Sequence, residues 1–374
     1  MRKMFFRSMF AIGMIGTVLL MNSCNKDDQS TPILVEATEV QLNNNMLTMV
    51  VGETAILTAV VKPDNTTDKS VSWKSSDPAV VEVADGKLTA KAKGEANITV
   101  TTKNEKIAIC KVIISSVKIN QQAAQHGYMV LETTRPINEK IALGIEAQDG
   151  NQANVWIDLN NDGQIQDDEK VTQFSSIDQS NYTLKSQTIV IYGKVTKLNC
   201  QDNYLTVLEV GNNPVLEYLH CSRNQLADLD ISKNVLLKNL YSSRNPLRVL
   251  DVSNNTALQI LYCTDNELTS LDVSKNTVLE VLYCRDNKLT SLNVKNSTPL
   301  RKLYCYNNQI KGDNMSTLLR NLPMRSAGSK GEIFIMKVGS ATEGNEMPTQ
   351  EQLQVAKNNN WEVWKLEGNL EILM

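Results

Sequence analysis

The sequence predicts a multidomain, mainly β protein: a β-sandwich, then a stacked-repeat solenoid with a β cap at its N-terminal end and an α/β cap at its C-terminal end. Three observations carry this prediction. Between Leu34 and Ser116, short alternating apolar runs are separated by turn residues at the spacing of a sandwich. Between Lys197 and Asn308 one pattern recurs every 21 residues, and a unit that short cannot bury its own leucines without stacking on neighbours. At both ends of that tract the period decays into other strand and helix patterns, as the open ends of a stack require.

The first 23 residues read as a targeting segment. Arg2, Lys3 and Arg7 form a basic start, and Ala11–Met21 is an apolar run too short to span a bilayer. Met21-Asn22-Ser23-Cys24 resembles a bacterial lipobox, which implies lipidation at Cys24. Lys26-Asp27-Asp28 resembles the acidic export signal of Bacteroidetes surface lipoproteins. The resemblance implies an outer-membrane, lipid-anchored location with the rest of the chain exposed at the cell surface, and a buried acyl set would hold it there without a spanning helix. Residues 24–33 are then a polar tether.

Residues 34–116 alternate apolar and polar positions in eight expected strands: Val35–Leu42, Leu47–Val51, Ala55–Lys62, Val71–Ser75, Val80–Val83, Lys87–Ala92, Ala96–Thr101 and Ala108–Ile114. Pro63-Asp64-Asn65, Asp77-Pro78 and Asp85-Gly86 supply turns. Val51-Gly52-Glu53-Thr54, Val71-Ser72-Trp73-Lys74-Ser75-Ser76-Asp77 and Gly86-Lys87-Leu88-Thr89-Ala90 resemble the bacterial immunoglobulin-like domains of group 2. The resemblance implies a buried core tryptophan at Trp73, an unpaired strand cysteine at Cys110, and a spacer role.

Residues 117–190 form a less regular β cap, with strands expected at Tyr128–Thr133, Lys140–Ala147, Asn154–Ile157 and Gln187–Tyr192. Within it, Asp158-Leu159-Asn160-Asn161-Asp162-Gly163-Gln164-Ile165-Gln166-Asp167-Asp168-Glu169 matches the twelve-residue calcium-loop template at every specified position. Asp158, Asn160 and Asp162 offer side-chain oxygens, Gln164 its carbonyl, and Glu169 a bidentate carboxylate. A strand enters this loop and no helix is expected after it, so two readings stand: a weak structural calcium site, or a solvated acidic turn on Asp162-Gly163.

Residues 191–312 hold the repeat. Cys200, Cys221, Cys263, Cys284 and Cys305 mark its phase, with Ser242 at the third of the six positions. In Leu219-His220-Cys221 the alternation is a short strand with leucine and cysteine inward and histidine outward. Asn203, Asn224, Asn245, Asn266, Asn287 and Asn308 follow each strand, where their amides can pair backbone groups of the next rung. The opposite wall is expected to be extended or 3₁₀, too short for a bulky helix. The cysteines read as compact core, since a line of rungs offers neither disulfide geometry nor a tetrahedral zinc site. This 21-residue unit resembles the internalin J-like leucine-rich-repeat surface proteins, which implies a leucine-rich-repeat solenoid and adhesion to a host or neighbouring-cell molecule.

The outward strand positions are the candidate ligand-binding face: His220, Tyr241, Tyr262, Tyr283 and Tyr304 in one column, Arg285 and Tyr306 in the next. Tyrosine suits partners of either protein or sugar, and stacked rings also brace a sheet by themselves; both readings are open. Residues 313–374 are expected to close the stack as helix (Met315–Leu322), strand (Glu332–Val338), helix (Thr349–Asn358) and strand (Trp361–Trp364).

Composition narrows the function. The chain has 38 basic and 41 acidic residues and no basic stripe, which leaves no electrostatic footprint for nucleic acid. It has two histidines, few for acid–base chemistry near neutral pH. No nucleophile elbow or H-E-x-x-H stands in the sequence, so the chain reads as a binding module and not an enzyme. Adhesion to a protein on another surface is the first reading. A glycan-capturing accessory of a polysaccharide-utilisation system, with sugars stacked on the tyrosines, is the second.

Overall fold

The computed structural model describes residues 34–326 and 328–374. The targeting segment, the tether and Cys24 lie outside the described residues.

The first nine strands are β1 (Glu39–Leu42), β2 (Met46–Val50), β3 (Thr54–Ile56), β4 (Ala59–Lys62), β5 (Val71–Ser75), β6 (Val81–Ala84), β7 (Lys87–Ala90), β8 (Gly94–Thr102) and β9 (Ile107–Ser115). They form a four-stranded sheet (β2-β9-β8-β5), a three-stranded sheet (β3-β7-β6) and a β1-β4 ribbon. Alternation decides which face is buried: Ala96, Ile98 and Val100 of β8 point inward and meet Val81, Leu88, Cys110 and Val112, or Val40 and Val61. The single strand expected over Ala55–Lys62 is broken at Leu57-Thr58 into β3 and β4, because the chain changes sheets there. The β6–β7 hairpin turns on Asp85 and Gly86, both at positive φ (49° and 80°). A Cβ at Gly86 would lie 2.4 Å from the Leu57 carbonyl oxygen, so glycine is required. Trp73 is half-buried, packed between the two apolar clusters of this unit.

After a four-residue helix α1 (Gln121–Ala124) come β10 (Tyr128–Thr133), β11 (Lys140–Ala147), β12 (Trp156–Asp158), β13 (Ser175–Thr183), β14 (Thr188–Tyr192), β15 (Val195–Asn199) and β16 (Leu205–Glu209). β12-β14-β10-β16 make one antiparallel sheet. The repeat then supplies β17 (Tyr218–His220), β18 (Asn239–Tyr241), β19 (Ile260–Tyr262), β20 (Val281–Tyr283) and β21 (Lys302–Tyr304). These are followed by α2 (Gly312–Arg320), β22 (Gly331–Val338), α3 (Gln350–Asn358), β23 (Trp361–Glu367) and β24 (Leu370–Leu373). An eleven-stranded sheet runs β13-β11-β15-β17-β18-β19-β20-β21-β22-β23-β24, parallel from β15 to β23 and antiparallel at both ends. The register advances one repeat per strand, with Leu219 opposite Leu240 and Leu240 opposite Leu261.

The expected fold class is corrected here. The described residues are dominated by large mixed β-sheets, and their three helices are short, at four, nine and nine residues. A leucine-rich-repeat solenoid implies a repeating α/β unit; none of the three helices falls within the 21-residue units. The physical reason is length: a three-residue strand and its turns leave no room for a helix, so the opposite wall is made of turns. Nor do the ends behave as separate caps, since their strands hydrogen-bond into the same sheet and one apolar core runs from Met129 to Val363. The resemblance to internalin J-like leucine-rich-repeat proteins, and the repeat-mediated adhesion drawn from it, fall with that fold class.

Buried polar groups are satisfied rung by rung. Asn224 donates through Nδ2 to the carbonyls of Cys200 (3.0 Å) and Cys221 (2.9 Å), while its Oδ1 accepts from the N–H of Asn203 (3.0 Å) and Leu205 (2.9 Å). Asn245, Asn266, Asn287 and Asn308 repeat the donor pair. Each such side chain replaces backbone partners that the turn out of the strand removes. A second buried column, Asn213, Asn234, Asn255 and Asn276, donates to the preceding rung but leaves its Oδ1 atoms without a protein partner.

Candidate functional site

The solvent side of the parallel tract carries a continuous aromatic stripe. The register sets His220, Tyr241, Tyr262, Tyr283, Tyr304, Phe334 and Trp364 in one line across seven strands. Centroid separations are 5.1 Å (His220–Tyr241), 4.9 Å (Tyr241–Tyr262), 4.2 Å (Tyr262–Tyr283 and Tyr283–Tyr304), 4.3 Å (Tyr304–Phe334) and 5.9 Å (Phe334–Trp364). The inward neighbours Leu240, Leu261, Leu282 and Leu303 are fully buried, which fixes the rings on the outer face.

The rings stack on one another. Tyr262 and Tyr283 are 7° from parallel, and Tyr304 and Phe334 14°. Tyr241 meets Tyr262 edge-on at 68° and Tyr283 meets Tyr304 tilted at 44°, so each ring is packed against its neighbours along the line. Sugar rings laid flat on tyrosine faces, as the sequence suggested, do not fit this arrangement. Burial, then the neighbouring Tyr283 charge and a hydrogen bond to Tyr283, push the Tyr262 hydroxyl up to about 12. The same three causes raise Tyr304. Burial lowers His220, so its imidazole is neutral at pH 7.

Beside the stripe runs a polar column of Ser222, Ser243, Thr264 and Arg285. Arg285 pairs with Asp286 and stands 5.4 Å from the ring of Tyr306. Tyr306, expected on the outer face, is buried. The next residue in every rung has left-handed backbone: Asp202, Arg223, Arg244, Asp265, Asp286 and Asn307, with φ from 54° to 58°.

Sequence reasoning missed Phe334 and Trp364, since they follow Tyr304 at steps longer than 21 residues. A signal existed. Lys302-Leu303-Tyr304, Glu332-Ile333-Phe334 and Glu362-Val363-Trp364 share one order of charged, aliphatic and aromatic residues.

The acidic loop closes on itself. Asp158 and Glu169 are fully buried. Asp158 accepts from the N–H groups of Asp162 (3.1 Å) and Gly163 (2.8 Å), and Glu169 from those of Leu159 (2.9 Å) and Gln166 (3.0 Å). Asp162 accepts from the Gln164 N–H at 2.7 Å and from the side-chain amides of Asn160 (3.0 Å) and Gln166 (2.9 Å). Burial, the largest cause, pushes both Asp158 and Glu169 above the usual carboxylate range. By chemistry these hard oxygens suit a divalent cation. By arrangement, no three Asp, Glu, His or Cys side chains among the described residues are poised to hold a metal.

Cys200, Cys221, Cys263, Cys284 and Cys305 are fully buried free thiols, as is Cys110. Desolvation pushes Cys221 and Cys263 up to about 12, so they are packing residues and not nucleophiles. No helix among the described residues is long and apolar enough to cross a membrane.

A β-sandwich module and a large sheet with a half-buried aromatic stripe on its outer face define a general binding or accessory class. Comparison with known proteins agrees at that level. Residues 36–112 match the bacterial Ig-like domain (group 2), so the sandwich is an immunoglobulin-like domain. An uncharacterized protein of Clostridium acetobutylicum is 48% identical over 67 residues, 18% of this chain and 17% of that protein. A lacto-N-biosidase of Bifidobacterium bifidum is 43% identical over 96 residues, 24% of this chain and 8% of that one. An alpha-L-arabinofuranosidase of Bifidobacterium longum is 41% identical over 76 residues, 20% and 7%. The matches thus span less than a fifth of each of these relatives. The functional domain of InlJ from Listeria monocytogenes, which includes a cysteine ladder, aligns with 23% identity and a TM-score of 0.33 over 45% of each chain.

Proposed function

We propose that the protein is a surface-held accessory that captures glycans along the aromatic stripe without cleaving them. The observation that carries this reading is the row of four half-buried tyrosines packed ring to ring on successive strands of the outer sheet face. Hydroxyls on four successive rungs, at Tyr241, Tyr262, Tyr283 and Tyr304, provide donors and acceptors at the spacing a polyhydroxylated chain requires. The partial likeness to a lacto-N-biosidase and an arabinofuranosidase, enzymes that act on glycans by their names, supports the same direction. Adhesion to a host or neighbouring-cell protein was implied by the resemblance corrected above; the immunoglobulin-like domain supports protein binding in general and not that partner.

The test is binding of the chain from Asn25 to parallel glycan and extracellular-protein arrays, with a Tyr262→Ala/Tyr283→Ala variant whose melting temperature is checked. Glycan signals that the variant loses support the reading; protein signals alone sink it. Release of free sugar from a bound glycan would overturn the non-enzymatic part.

The reading includes a lipid anchor at Cys24, checked by metabolic palmitate labelling, which Cys24→Ala should abolish. It also includes calcium at Asp158, Asn160, Asp162, Gln164 and Glu169, argued from donor chemistry alone. Calcium should raise the melting temperature of the native chain and leave Asp162→Ala unmoved. An equal response in both would remove calcium from this loop.

A further inference from the structure

The left-handed column beside the stripe is not uniform. Asp202, Asp265, Asp286 and Asn307 are residue types that tolerate this backbone conformation, whereas Arg223 and Arg244 are not. Two guanidinium groups thus occupy adjacent rungs, about 4.8 Å apart along the stack, where backbone sterics oppose them and each repels the other. The fold offers them little in return. Arg223 is exposed and has no ion-pair partner among the described residues, while Arg244 reaches only Asp265, at 3.6 Å between exposed side chains. Ordinary helix or strand packing does not explain them, since neither side chain enters the core.

Their position in the stripe gives them a direction. Arg223 and Arg244 follow the strands that carry His220 and Tyr241, at one end of the aromatic line. Further along the same column the sign reverses, to Asp265 and then to Asp286. Arg285, near that second end, is already paired with Asp286.

The geometry points to an oligosaccharide that carries an acidic group at one end, with its carboxylate or sulfate on Arg223 and Arg244 and its neutral units along the tyrosine edges. This rests on the glycan-capture reading and narrows its substrate class. Guanidinium groups bind carboxylate and sulfate oxygens through paired N–H donors, and hydroxyls of Tyr241, Tyr262 and Tyr283 lie along the line the neutral units would follow. A uniformly charged polymer is disfavoured, because its later units would face Asp265 and Asp286.

The experiment uses the chain from Asn25, which holds every described residue. Its probes are oligosaccharides presented in pairs, each with and without a terminal sialic or glucuronic acid, plus polygalacturonate as the uniform polyanion. At low salt the acid-terminated member should bind about tenfold or more tightly than its neutral partner. In Arg223→Asn/Arg244→Asn that ratio should fall close to one, with the neutral affinity kept. Asparagine suits the left-handed backbone, so the variant's melting temperature should equal or exceed that of the native chain.

Equal affinity within pairs overturns the inference, as does a ratio that survives the double substitution or a preference for polygalacturonate. If neutral members still bind and Tyr262→Ala/Tyr283→Ala abolishes that binding, glycan capture stands and only the acidic terminus falls. If no pair binds at all, both fall.

Discussion

At the residue scale the repeat explains itself through what replaces what. Ser242 holds the position that cysteine holds in the other five rungs, and it is fully buried. Its hydroxyl donates only a long bond, 3.4 Å, to the Tyr262 carbonyl. A thiol there would fill more of the core and remove a weakly satisfied polar group. Ser242→Cys is therefore expected to stabilise the fold by about 1 kcal/mol, read as a higher denaturant midpoint at unchanged slope. A lower midpoint would mean that the smaller side chain is needed where β18 packs. Much at this scale was legible beforehand: the inward cysteines and the strand-ending asparagines follow from alternation and from the need to pair buried backbone. The unpaired Oδ1 atoms of Asn213, Asn234, Asn255 and Asn276 were not legible, because a repeated asparagine does not say which of its groups finds a partner.

At the scale of the element, the parallel tract and the aromatic stripe are one object. Parallel register puts like residues side by side, so one tyrosine per strand becomes a continuous line of ring contacts, stacked at Tyr262–Tyr283, edge-on at Tyr241–Tyr262 and tilted at Tyr283–Tyr304. Alternation told that the rings point outward; it could not tell which pairs stack and which meet edge-on, which depends on side-chain torsions and not on spacing. Stacking has a pH signature. Burial and a neighbouring phenol raise Tyr262 from 10.0 to about 12, so the folded state holds its proton more tightly than the unfolded chain. That contribution to stability is complete below about pH 10 and is lost as pH climbs through the folded value near 12. Phenolate absorbance of the native protein should therefore develop above the midpoint of a denatured sample, with the stripe loosening as it appears. Coincident native and denatured titrations would show that the stack leaves the phenols unperturbed.

For the whole molecule, the order of parts and the class of the sandwich were readable, but the class of the large sheet was not. The sandwich announced itself through turn residues and alternation, and most of its strands fall where those signals set them. The large sheet was misjudged because nothing local reveals that flanking strands such as β11 and β24 pair into the same sheet as the repeat strands. Strand β13 went unread for a related reason: Ser175–Thr183 is mostly polar, as an edge strand with one wet side can be. The six described cysteines divide between two separate apolar cores. Cys110 sits in the sandwich core, whereas Cys200, Cys221, Cys263, Cys284 and Cys305 sit in the core of the large sheet. Buried thiols react only when their own core opens. In the chain from Asn25, thiol labelling under native conditions should therefore be negligible. Across a denaturant titration one cysteine should label in one transition and five in another, each assigned by mass spectrometry of the labelled peptides. Six thiols appearing together would show that the two cores unfold as one cooperative unit, and rapid labelling without denaturant would contradict the burial of the repeat cysteines outright.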